Sequence, residues 1–482
     1  MKIPTSVPNY ILTTCSISIL GILAPLSSAQ CGSPKEIAQL TASDGAASDE
    51  FGQAIDISGD AIIVGANRHD HPASTDDEGA AYIYRYDGSA WTQEAELGLS
   101  GPSSDEYGFG EAVAISGDVA VVGTWPGDDI EGAAFVYRFD GSDWVQKAKL
   151  TPTGTVQGFG YSVDIDGDVI LVGARRDDTN GTDKGSVYVY RYSGSSWVEE
   201  DTWDGQANGD QFGRSVAIHG DTAVVGAPLV DFTTPTISDA GSVYVYEYAS
   251  SAWTLTDTLT APDKATDFWF GTSVDISSEI IAVGSPRHDD RDITDNGSAY
   301  LYRHSGSSWD HEETLEPTDA YKDANDRFGI SVATYGDTPI VGSWYGDQND
   351  STDNNDNLGS VEVFRYDGTD WPSKTELTPF GSGTTDRFGF AVAVEGKNAV
   401  VGAKSHTISS IKTGSSFVYD LNFAVSSCPA DFDTDGCLNY FDVSAFLTAY
   451  SSSDSLADMN GDGLFNYFDI SLFLQLYQLG CE

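Results

Sequence analysis

Residues 51–66 read FGQAIDISGDAIIVGA, and residues 79–91 read GAAYIYRYDGSAW after a polar loop. Most of the remaining chain repeats these two blocks. The Phe-Gly pair that opens the first block recurs at Phe51, Phe109, Phe159, Phe212, Phe270, Phe328 and Phe388. A second glycine follows at constant spacing in every copy: Gly65, Gly123, Gly173, Gly226, Gly284, Gly342 and Gly402. The period of roughly 50 to 60 residues is in or just above the range of propeller blades.

Alternating apolar and polar residues predict four short strands in each copy. In the first copy these are AIDIS, AIIVG, AYIYRY and WTQEAEL. A Gly59-Asp60 turn joins the first two strands, and an Asp87-Gly88 turn joins the last two. Seven copies of a four-stranded antiparallel unit predict a mainly β fold, a seven-bladed β-propeller spanning residues 30–423.

The seventh copy lacks the last strand, because Ser426 replaces the tryptophan that begins this strand in the other six copies. One matching segment stands alone before the first Phe-Gly pair. It is PKEIAQL, with Leu40 at the final position. We predict that this N-terminal strand completes blade seven, antiparallel to Ser415–Leu421, because an open ring would leave a sheet edge exposed. This pairing would also bring Cys31 close to Cys428.

The repeat resembles the FG-GAP repeat of integrin α-subunit propellers and their bacterial relatives. The matching residues are Phe51-Gly52 and Val64-Gly65-Ala66, with later matches at Gly173-Ala174 and Gly226-Ala227-Pro228. The resemblance covers roughly residues 35 to 423. Integrin-type blades often carry a DxDxDG calcium loop between strands one and two. The turns here read ISGD, DGD, HGD or EGK and are too short for it. We therefore expect no calcium in the propeller.

The N-terminal residues predict secretion. Residues 1–29 combine Lys2, an apolar stretch from Ile11 to Leu26 and small residues before Gln30, as in a cleaved signal peptide. No other run is apolar and long enough to span a bilayer. We expect a secreted, extracellular protein, with attachment to a bacterial cell surface as an option. The net charge of −50 disfavours nucleic acid and anionic lipid as partners.

Four cysteines remain after signal removal: Cys31, Cys428, Cys437 and Cys481. They allow three disulfide connectivities. Cys428 and Cys481 bracket the C-terminal module, which favours one pairing. Cys31 and Cys428 bracket the two ends of the propeller, which favours another. The sequence leaves the choice open.

After a linker at residues 424–430, the C-terminal segment 431–482 carries two EF-hand-type loops, DFDTDGCLNYFD and DMNGDGLFNYFD. Oxygen ligands recur at the spacing that calcium requires, with glycine at position 6. We predict two Ca²⁺ ions, one for each loop. The predicted ligands are Asp431, Asp433, Asp435, Cys437 (carbonyl), Asn439 and Asp442, and Asp458, Asn460, Asp462, Leu464 (carbonyl), Asn466 and Asp469.

Each loop precedes a short apolar stretch, VSAFLTAY or ISLFLQLY. We expect Phe446 with Leu447, and Phe473 with Leu474, to line one face of a helix. This duplicated loop-helix pattern resembles a type of dockerin that ends in Gly-Cys, here Gly480-Cys481. The resemblance implies a cohesin-like or surface scaffold protein as partner. It also implies partner contacts at Tyr440, Phe441, Tyr467 and Phe468, although these aromatics could instead cover a small core.

Antiparallel blades place the one-two and three-four turns at one end of the ring and the two-three and four-one connections at the other. The second set varies in length, which is typical of binding loops on a rigid scaffold. Aromatic residues in or beside these loops could bind a glycan or a protein, or could fill space between blades. They are Trp125, Phe232, Trp269, Trp344 and Tyr345.

Catalytic signals are sparse. The seven histidines form no HExxH motif, and 74 acidic residues prevent the choice of an acid–base pair. His69 and His71, with Asp70, and His288, with Asp289 and Asp290, fall in two-three loops. We expect these loops to be solvated, with a weak metal site as the alternative.

The sequence therefore favours a secreted, non-catalytic binding or structural propeller, displayed through a calcium-dependent dockerin-like module. The alternative is a polysaccharide-degrading enzyme component carried to a complex by its dockerin. Buried carboxylates or a metal at the centre of the variable loops would favour the enzyme, and an aromatic-lined rim would favour binding.

Overall fold

The structure is a computed structural model of the 482-residue chain. It describes residues 30–31, 34–70, 77–99, 107–125, 131–289, 293–317, 325–345, 358–366, 371, 373–379, 386–421, 437–438, 443, 446–447, 449–450, 457, 459 and 469–474. The predicted signal segment lies outside these residues. The chain forms two compact units, Ser33–Asn422 and the combination of Met1–Gly32 with Phe423–Glu482.

The larger unit consists of seven four-stranded antiparallel sheets, as the sequence predicts. Strands β1 (Gln30–Cys31) and β2 (Lys35–Leu40) precede the first repeat. Blade one contains β3 (Ile55–Ser58), β4 (Ala61–Ala66), β5 (Ala80–Tyr86) and β6 (Trp91–Leu97). Blade two contains β7 (Ala112–Ser116), β8 (Val119–Gly123), β9 (Ala134–Phe139) and β10 (Trp144–Leu150). Blade three contains β11 (Phe159–Asp166), β12 (Val169–Ala174), β13 (Ser186–Tyr192) and β14 (Trp197–Asp204).

The next three blades repeat this order. Blade four contains β15 (Ser215–His219), β16 (Thr222–Ala227), β19 (Ser242–Ala249) and β20 (Ala252–Leu259), with a small hairpin of β17 (Phe232–Thr233) and β18 (Thr236–Ile237). Blade five contains β21 (Ser273–Ser277), β22 (Ile280–Ser285), β23 (Ser298–His304) and β24 (Trp309–Leu315). Blade six contains β25 (Ser331–Tyr335), β26 (Thr338–Ser343), β27 (Ser360–Arg365) and β28 (Ser373–Leu377).

The seventh sheet is built from both ends of the repeat region. It contains β29 (Phe388–Glu395), β30 (Asn398–Ala403) and β33 (Ser415–Asp420), with a small hairpin of β31 (Thr407–Ile408) and β32 (Ile411–Lys412). Its outer strand is β2, which pairs antiparallel with β33 from Lys35 opposite Asp420 to Leu40 opposite Ser416. Leu40 is 2% exposed, whereas Ile37 on the same strand is 42% exposed.

Two glycines per repeat explain how neighbouring blades pack. A Cβ atom on Gly65 would lie 2.0 Å from the carbonyl oxygen of Gly110 in the next blade, closer than any side chain tolerates. Equivalent contacts occur at the other junctions, and the last one joins blade seven to blade one. There, a Cβ on Gly402 would lie 2.3 Å from the oxygen of Gly52. Adjacent blades therefore meet backbone to backbone, and only glycine fits at these positions.

The innermost strands leave an edge of backbone N–H groups along the central channel. Asp56 accepts the N–H of Ile57 at 2.8 Å and that of Ile115, in blade two, at 2.6 Å. Equivalent inter-blade bonds of 2.6 Å run from Ile218 N–H to Asp164 and from Thr334 N–H to Asp275. The other four blades carry alanine here: Ala114, Ala217, Ala333 and Ala393. Because one carboxylate reaches donors of two blades, three aspartates serve blades one to six, and blade seven lies outside this pattern.

In the smaller unit, β1 pairs antiparallel with β34 (Cys437–Leu438), which places Cys31 opposite Cys437. Helical residues occur at 443, 446–447, 449–450 and 469–474. The rings of Phe446 and Phe473 stack with centroids 4.1 Å apart. Leu447 and Leu474 are 51% and 50% exposed. The expectation that each leucine shares the buried face of its phenylalanine is therefore wrong, since consecutive residues on a helix diverge by about 100°.

Among the described residues, no helix is sufficiently long and apolar to cross a membrane.

Candidate ligand-binding face

The two ends of the ring differ in their connections. The turn face carries the short one-two and three-four turns. The variable face carries the two-three and four-one connections, and it also contains the residues that follow each Phe-Gly pair and each second strand. All five predicted ligand-face aromatics are described and partly buried, and all five lie within reach of a basic side chain.

Trp125 of blade two belongs to an aromatic and basic group shared with blade three. Its ring meets that of Tyr161 edge-on, with centroids 5.8 Å apart. The Arg175 guanidinium lies 4.2 Å from the Tyr161 centroid and 5.6 Å from that of Trp125. Arg214 of blade four approaches the Tyr161 ring at 5.8 Å. Cations stacked on aromatic faces keep their edge N–H groups available to a ligand.

A second group joins blades six and seven. Trp344 packs against Tyr345, with centroids 5.1 Å apart, and against Phe390 of blade seven at 5.0 Å. Arg387 lies 5.5 Å from the Trp344 ring and 5.9 Å from the Tyr345 ring. Arg327 approaches Trp344 at 5.9 Å. These tryptophans thus contribute both to packing between blades and to the surface of the variable face.

The remaining two aromatics stand in separate pairs. Trp269 stacks under Arg287 at 4.4 Å, and Phe232 lies 5.0 Å from the Lys264 ammonium. The structure therefore brings Trp125 together with Tyr161, and Trp344 together with Tyr345. It leaves Phe232 and Trp269 in their own local clusters.

A partly buried ion pair lies between blades seven, one and two. The Lys404 ammonium contacts Glu50 at 3.1 Å and Gln53 at 2.9 Å, and lies 3.6 Å from the Phe390 centroid. Glu111 accepts a hydrogen bond of 2.7 Å from Asn67. Burial lowers the pKa of Lys404 and raises the pKa of Glu111. Opposite shifts of neighbouring groups are frequent at functional sites and also occur in structural ion pairs.

The arginines of this face fall into two groups, and the first group forms ion pairs: Arg68 with Glu50, Arg176 with Asp183 and Arg287 with Asp295. Within the part of the chain that the structure describes, Arg214, Arg327 and Arg387 form no salt bridge. At the turn face, by contrast, Arg85 binds Asp60 and Glu94. Arg191 pairs likewise with Asp168 and Glu200 of its own blade, whereas Arg303 pairs with Glu312 of its own outer strand and with Asp337 in the turn of the next blade. The variable face therefore carries three described arginines without a salt bridge, on a molecule of net charge −50.

The expectation that the histidine loops are solvated is wrong for His69 and His288, which are 2% and 6% exposed. His69 Nδ1 lies 2.9 Å from Asp49 Oδ2, and this hydrogen bond raises the pKa of His69. His288 Nε2 lies 3.0 Å from Asp263. Neither Asp49 nor Asp263 is among the predicted site residues, since they lie 20 and 25 residues before the histidines that they contact. His71 and Asp290 lie outside the described residues, and Asp70 and Asp289 are exposed.

Most of the calcium and partner residues also lie outside the described residues. Of the twelve predicted calcium ligands, the structure describes Cys437, on strand β34, and Asp469, which is buried at the start of the helical residues 469–474. Tyr440, Phe441, Tyr467, Phe468 and Cys428 are not among the described residues. The two calcium loops therefore stay predictions.

The central channel contains a cavity of about 660 Å³ toward the turn face, lined by the first strands of all seven blades. Asp56, Asp164 and Asp275 line it. Burial raises the pKa of Asp164 and of Asp275 to about 7. Burial, together with the nearby Asp164, raises the pKa of Asp56 as well. These three carboxylates lie within the first strands, along the channel, and none of them belongs to a variable loop.

Comparison with known proteins agrees with the repeat structure. The FG-GAP repeat family matches residues 34–84, 91–137, 144–190, 202–246, 253–302, 309–364 and 371–419. No curated protein sequence matches the chain. Among solved structures, Sqt1 from Saccharomyces cerevisiae is similar at 11% identity and a TM-score of 0.43, over 77% of this chain and 83% of that chain.

Proposed function

The chain belongs to the FG-GAP repeat family, and we propose that it is a secreted, non-catalytic binding protein whose propeller takes its ligand on the variable face. The observation that carries this proposal is the set of aromatic rings paired with basic side chains around that face. Rigid blades hold these residues in place, so that little conformational entropy is lost when a ligand binds.

The chemistry of the face favours an acidic polysaccharide as ligand. Aromatic rings such as Trp125 and Trp344 can stack on sugar rings, and guanidinium groups pair with carboxylates through two parallel hydrogen bonds. Arg214, Arg327 and Arg387 supply such groups without a salt bridge to another described residue. A uronate polymer offers a ring face and a carboxylate in every unit, and these are the two kinds of group that aromatic rings and guanidinium groups bind.

The test is binding of polygalacturonate and alginate to the whole protein, with neutral dextran as comparison. We expect the acidic polymers to bind and the affinity to fall with salt. The triple variant Arg214→Gln, Arg327→Gln, Arg387→Gln should weaken binding at least tenfold while keeping its melting temperature. The matched control, Arg85→Gln, Arg191→Gln, Arg303→Gln, removes equal charge from the turn face and should bind normally. Equal loss in both variants, or equal binding of dextran, would refute the proposal.

The aromatic contribution is tested separately. Replacing Trp125, Trp269 or Trp344 with alanine should weaken binding by on the order of 2 kcal/mol for each good anchor. Because Trp344 also packs against Phe390 in the next blade, the melting temperature of the Trp344→Ala variant must be measured in parallel. A tryptophan variant that unfolds without a change in the affinity of its folded fraction would assign that residue to packing alone.

The C-terminal module would display the propeller on a cohesin-like or surface scaffold protein. Two EF-hand-type loops support this proposal, as do helical residues after each loop and the stacked pair Phe446 and Phe473. Calcium would order both loops and so present Tyr440, Phe441, Tyr467 and Phe468 to the partner. A pull-down of cohesin domains with and without calcium tests it. Capture that is equally strong in EDTA would contradict calcium-dependent display.

A further inference from the structure

Three side chains of the types that ligate metals meet at the edge of blade one: Asp44, His69 and Glu96. One ligand atom from each lies within 4.8 Å of those of the other two. The His69 Nε2 atom is 3.6 Å from Asp44 Oδ2. Ligands at about 2.0 to 2.1 Å from a tetrahedral ion are separated by about 3.3 Å, so that small side-chain movements would bring all three into coordination.

A hydrogen bond holds the His69 ring in the orientation that metal coordination through Nε2 would require. The His69 side chain is 3% exposed, and its Nδ1 atom is bonded at 2.9 Å to Asp49, whose side chain is 2% exposed. This bond directs Nε2 toward the two exposed carboxylates. A histidine that binds metal through one nitrogen commonly donates the other N–H to a carboxylate, which fixes the ring and its tautomer. Asp44 is held in turn by a 3.0 Å hydrogen bond from the Tyr82 hydroxyl.

Blade five contains the same scaffold without the third ligand. His288 corresponds to His69, and Asp263 corresponds to Asp44 and likewise accepts a bond from a tyrosine, Tyr300, at 2.9 Å. The residue opposite Tyr300 is Thr314, whereas the residue opposite Tyr82 is Glu96. His288 Nε2 is bonded directly to Asp263 at 3.0 Å. Blade seven repeats the histidine and its Nδ1 bond, from His406 to Asp386 at 2.7 Å, but has Gln39 where blade one has Glu96. Among the described residues, only blade one therefore combines an imidazole with two carboxylates at this position.

We propose that Asp44, His69 and Glu96 bind a divalent transition-metal ion of the zinc class, with Asp49 positioning His69. One imidazole and two carboxylates suit zinc better than calcium, which prefers oxygen ligands alone. Asp44 follows β2, the outer strand of blade seven, while His69 and Glu96 belong to blade one. The ion would therefore connect the last blade to the first and stabilise the closed ring.

The experiment measures Zn²⁺ binding to the whole protein by calorimetry, together with the melting temperature followed by tryptophan fluorescence. We expect Zn²⁺ to raise the melting temperature. Glu96→Thr, which installs the residue of blade five on an exposed position, should reduce Zn²⁺ affinity at least tenfold without unfolding the protein. Asp44→Asn should act similarly. Asp49→Asn should reduce affinity about 10- to 100-fold by releasing the histidine ring.

The matched control is His288→Gln, which alters the related histidine in blade five and should leave Zn²⁺ affinity unchanged. Zn²⁺ bound by cysteines elsewhere would be insensitive to all of these changes. The proposal is overturned if Glu96→Thr and Asp44→Asn bind Zn²⁺ as tightly as the unaltered protein. It is also overturned if His288→Gln loses as much affinity as they do.

Discussion

At several positions of this propeller, contacts between neighbouring blades determine which residue the sequence can carry. The clearest case is the glycine of each second strand, which the next blade approaches so closely that a methyl group cannot fit. The spacing of these glycines in the sequence is therefore constant because every pair of neighbouring blades approaches equally closely. This explains why the repeat could be recognised from the sequence without any knowledge of the packing.

Gly65→Ala should destabilise the propeller strongly. The new Cβ would meet the Gly110 oxygen at 2.0 Å, and neither backbone can move without separating two blades. We expect a loss of about 3 kcal/mol or more in the free energy of unfolding, measured in urea by tryptophan fluorescence. Gly59→Ala is the control. It has a φ of 60° and nothing within 4 Å, so that only about 1 kcal/mol of backbone strain is expected. Equal losses would argue against the steric explanation.

The channel aspartates predict an unusual dependence of stability on pH. Burial raises the pKa of Asp164 and Asp275 to about 7 in the folded protein, above the usual value of 3.8. The folded state therefore holds these protons more tightly than the unfolded state does. Their contribution to stability is complete below about pH 4 and is lost as the pH rises to about 7. The free energy of unfolding should decrease by a few kcal/mol over this interval.

Asp164→Asn combined with Asp275→Asn tests the assignment, because an amide does not titrate in this range. The variant should show a flatter profile of unfolding free energy between pH 4 and pH 7. At pH 5 it should be less stable than the unaltered protein, because an amide nitrogen cannot accept the second backbone N–H. A slope identical to that of the unaltered protein would assign the pH dependence to other groups, such as the relief of overall charge repulsion.

At the scale of elements, the strand most open to test is β2. It pairs with β33 through the register described above, and the side chain of its last residue, Leu40, is buried. Removing residues 30–40 should lower the melting temperature of the whole propeller, because the outer edge of blade seven would be exposed. A truncated protein with an unchanged melting temperature would show that β2 does not stabilise the closed ring of blades.

Two point substitutions on β2 sharpen this test, since they leave the chain length unchanged. Leu40→Ala should cost about 2 to 5 kcal/mol, as is typical of a buried leucine. Ile37→Ala, on the exposed face of the same strand, should stay within about 0.5 kcal/mol of the unaltered protein. The contrast distinguishes a packed strand from a loosely attached one, for which both changes would be nearly silent.

The same elements show where prediction from sequence succeeds and fails. Strand positions followed from local alternation, which the blade imposes on every copy. The pairing of His69 with Asp49 and of His288 with Asp263 joins segments that only the fold brings together. Loop residues were expected to be solvated because loops usually are. These loops instead carry buried histidines, whose partners lie on the preceding connection. Asp49 stands two residues before the Phe-Gly pair, a position that aspartate also occupies at Asp210, Asp326 and Asp386, whereas Asp263 has no such repeated position.

For the molecule as a whole, the backbone register of the β1–β34 pair indicates which cysteines can form disulfide bonds. Cys31 lies opposite Cys437 in the β1–β34 pair. This register is compatible with a Cys31–Cys437 bond, which would leave Cys428 to pair with Cys481. We predict these two disulfides, to be identified by peptide mapping under non-reducing conditions. A bond between Cys31 and Cys428, the pairing suggested by the ends of the propeller, would contradict the prediction.

The two compact units should respond independently to calcium. A module of about 55 residues is too small for a robust core without help, so ion binding should supply part of its folding energy. Its calcium affinity could be as weak as roughly 10⁻⁴ M. All ten tryptophans lie between Trp91 and Trp371, in the propeller, so that their fluorescence reports on that unit alone.

EDTA should therefore abolish amide-exchange protection in residues 431–481 and leave the tryptophan melting curve unchanged. Asp431→Ala with Asp458→Ala removes the first ligand of each loop and should reproduce the effect of EDTA in saturating calcium. A reduced sample is needed as well, because disulfides at Cys437 and Cys481 would hold the module together after the ions leave. If reduced protein keeps its protection in EDTA, the loops do not depend on calcium for folding. If the tryptophan curve shifts with the module, the two units are not independent.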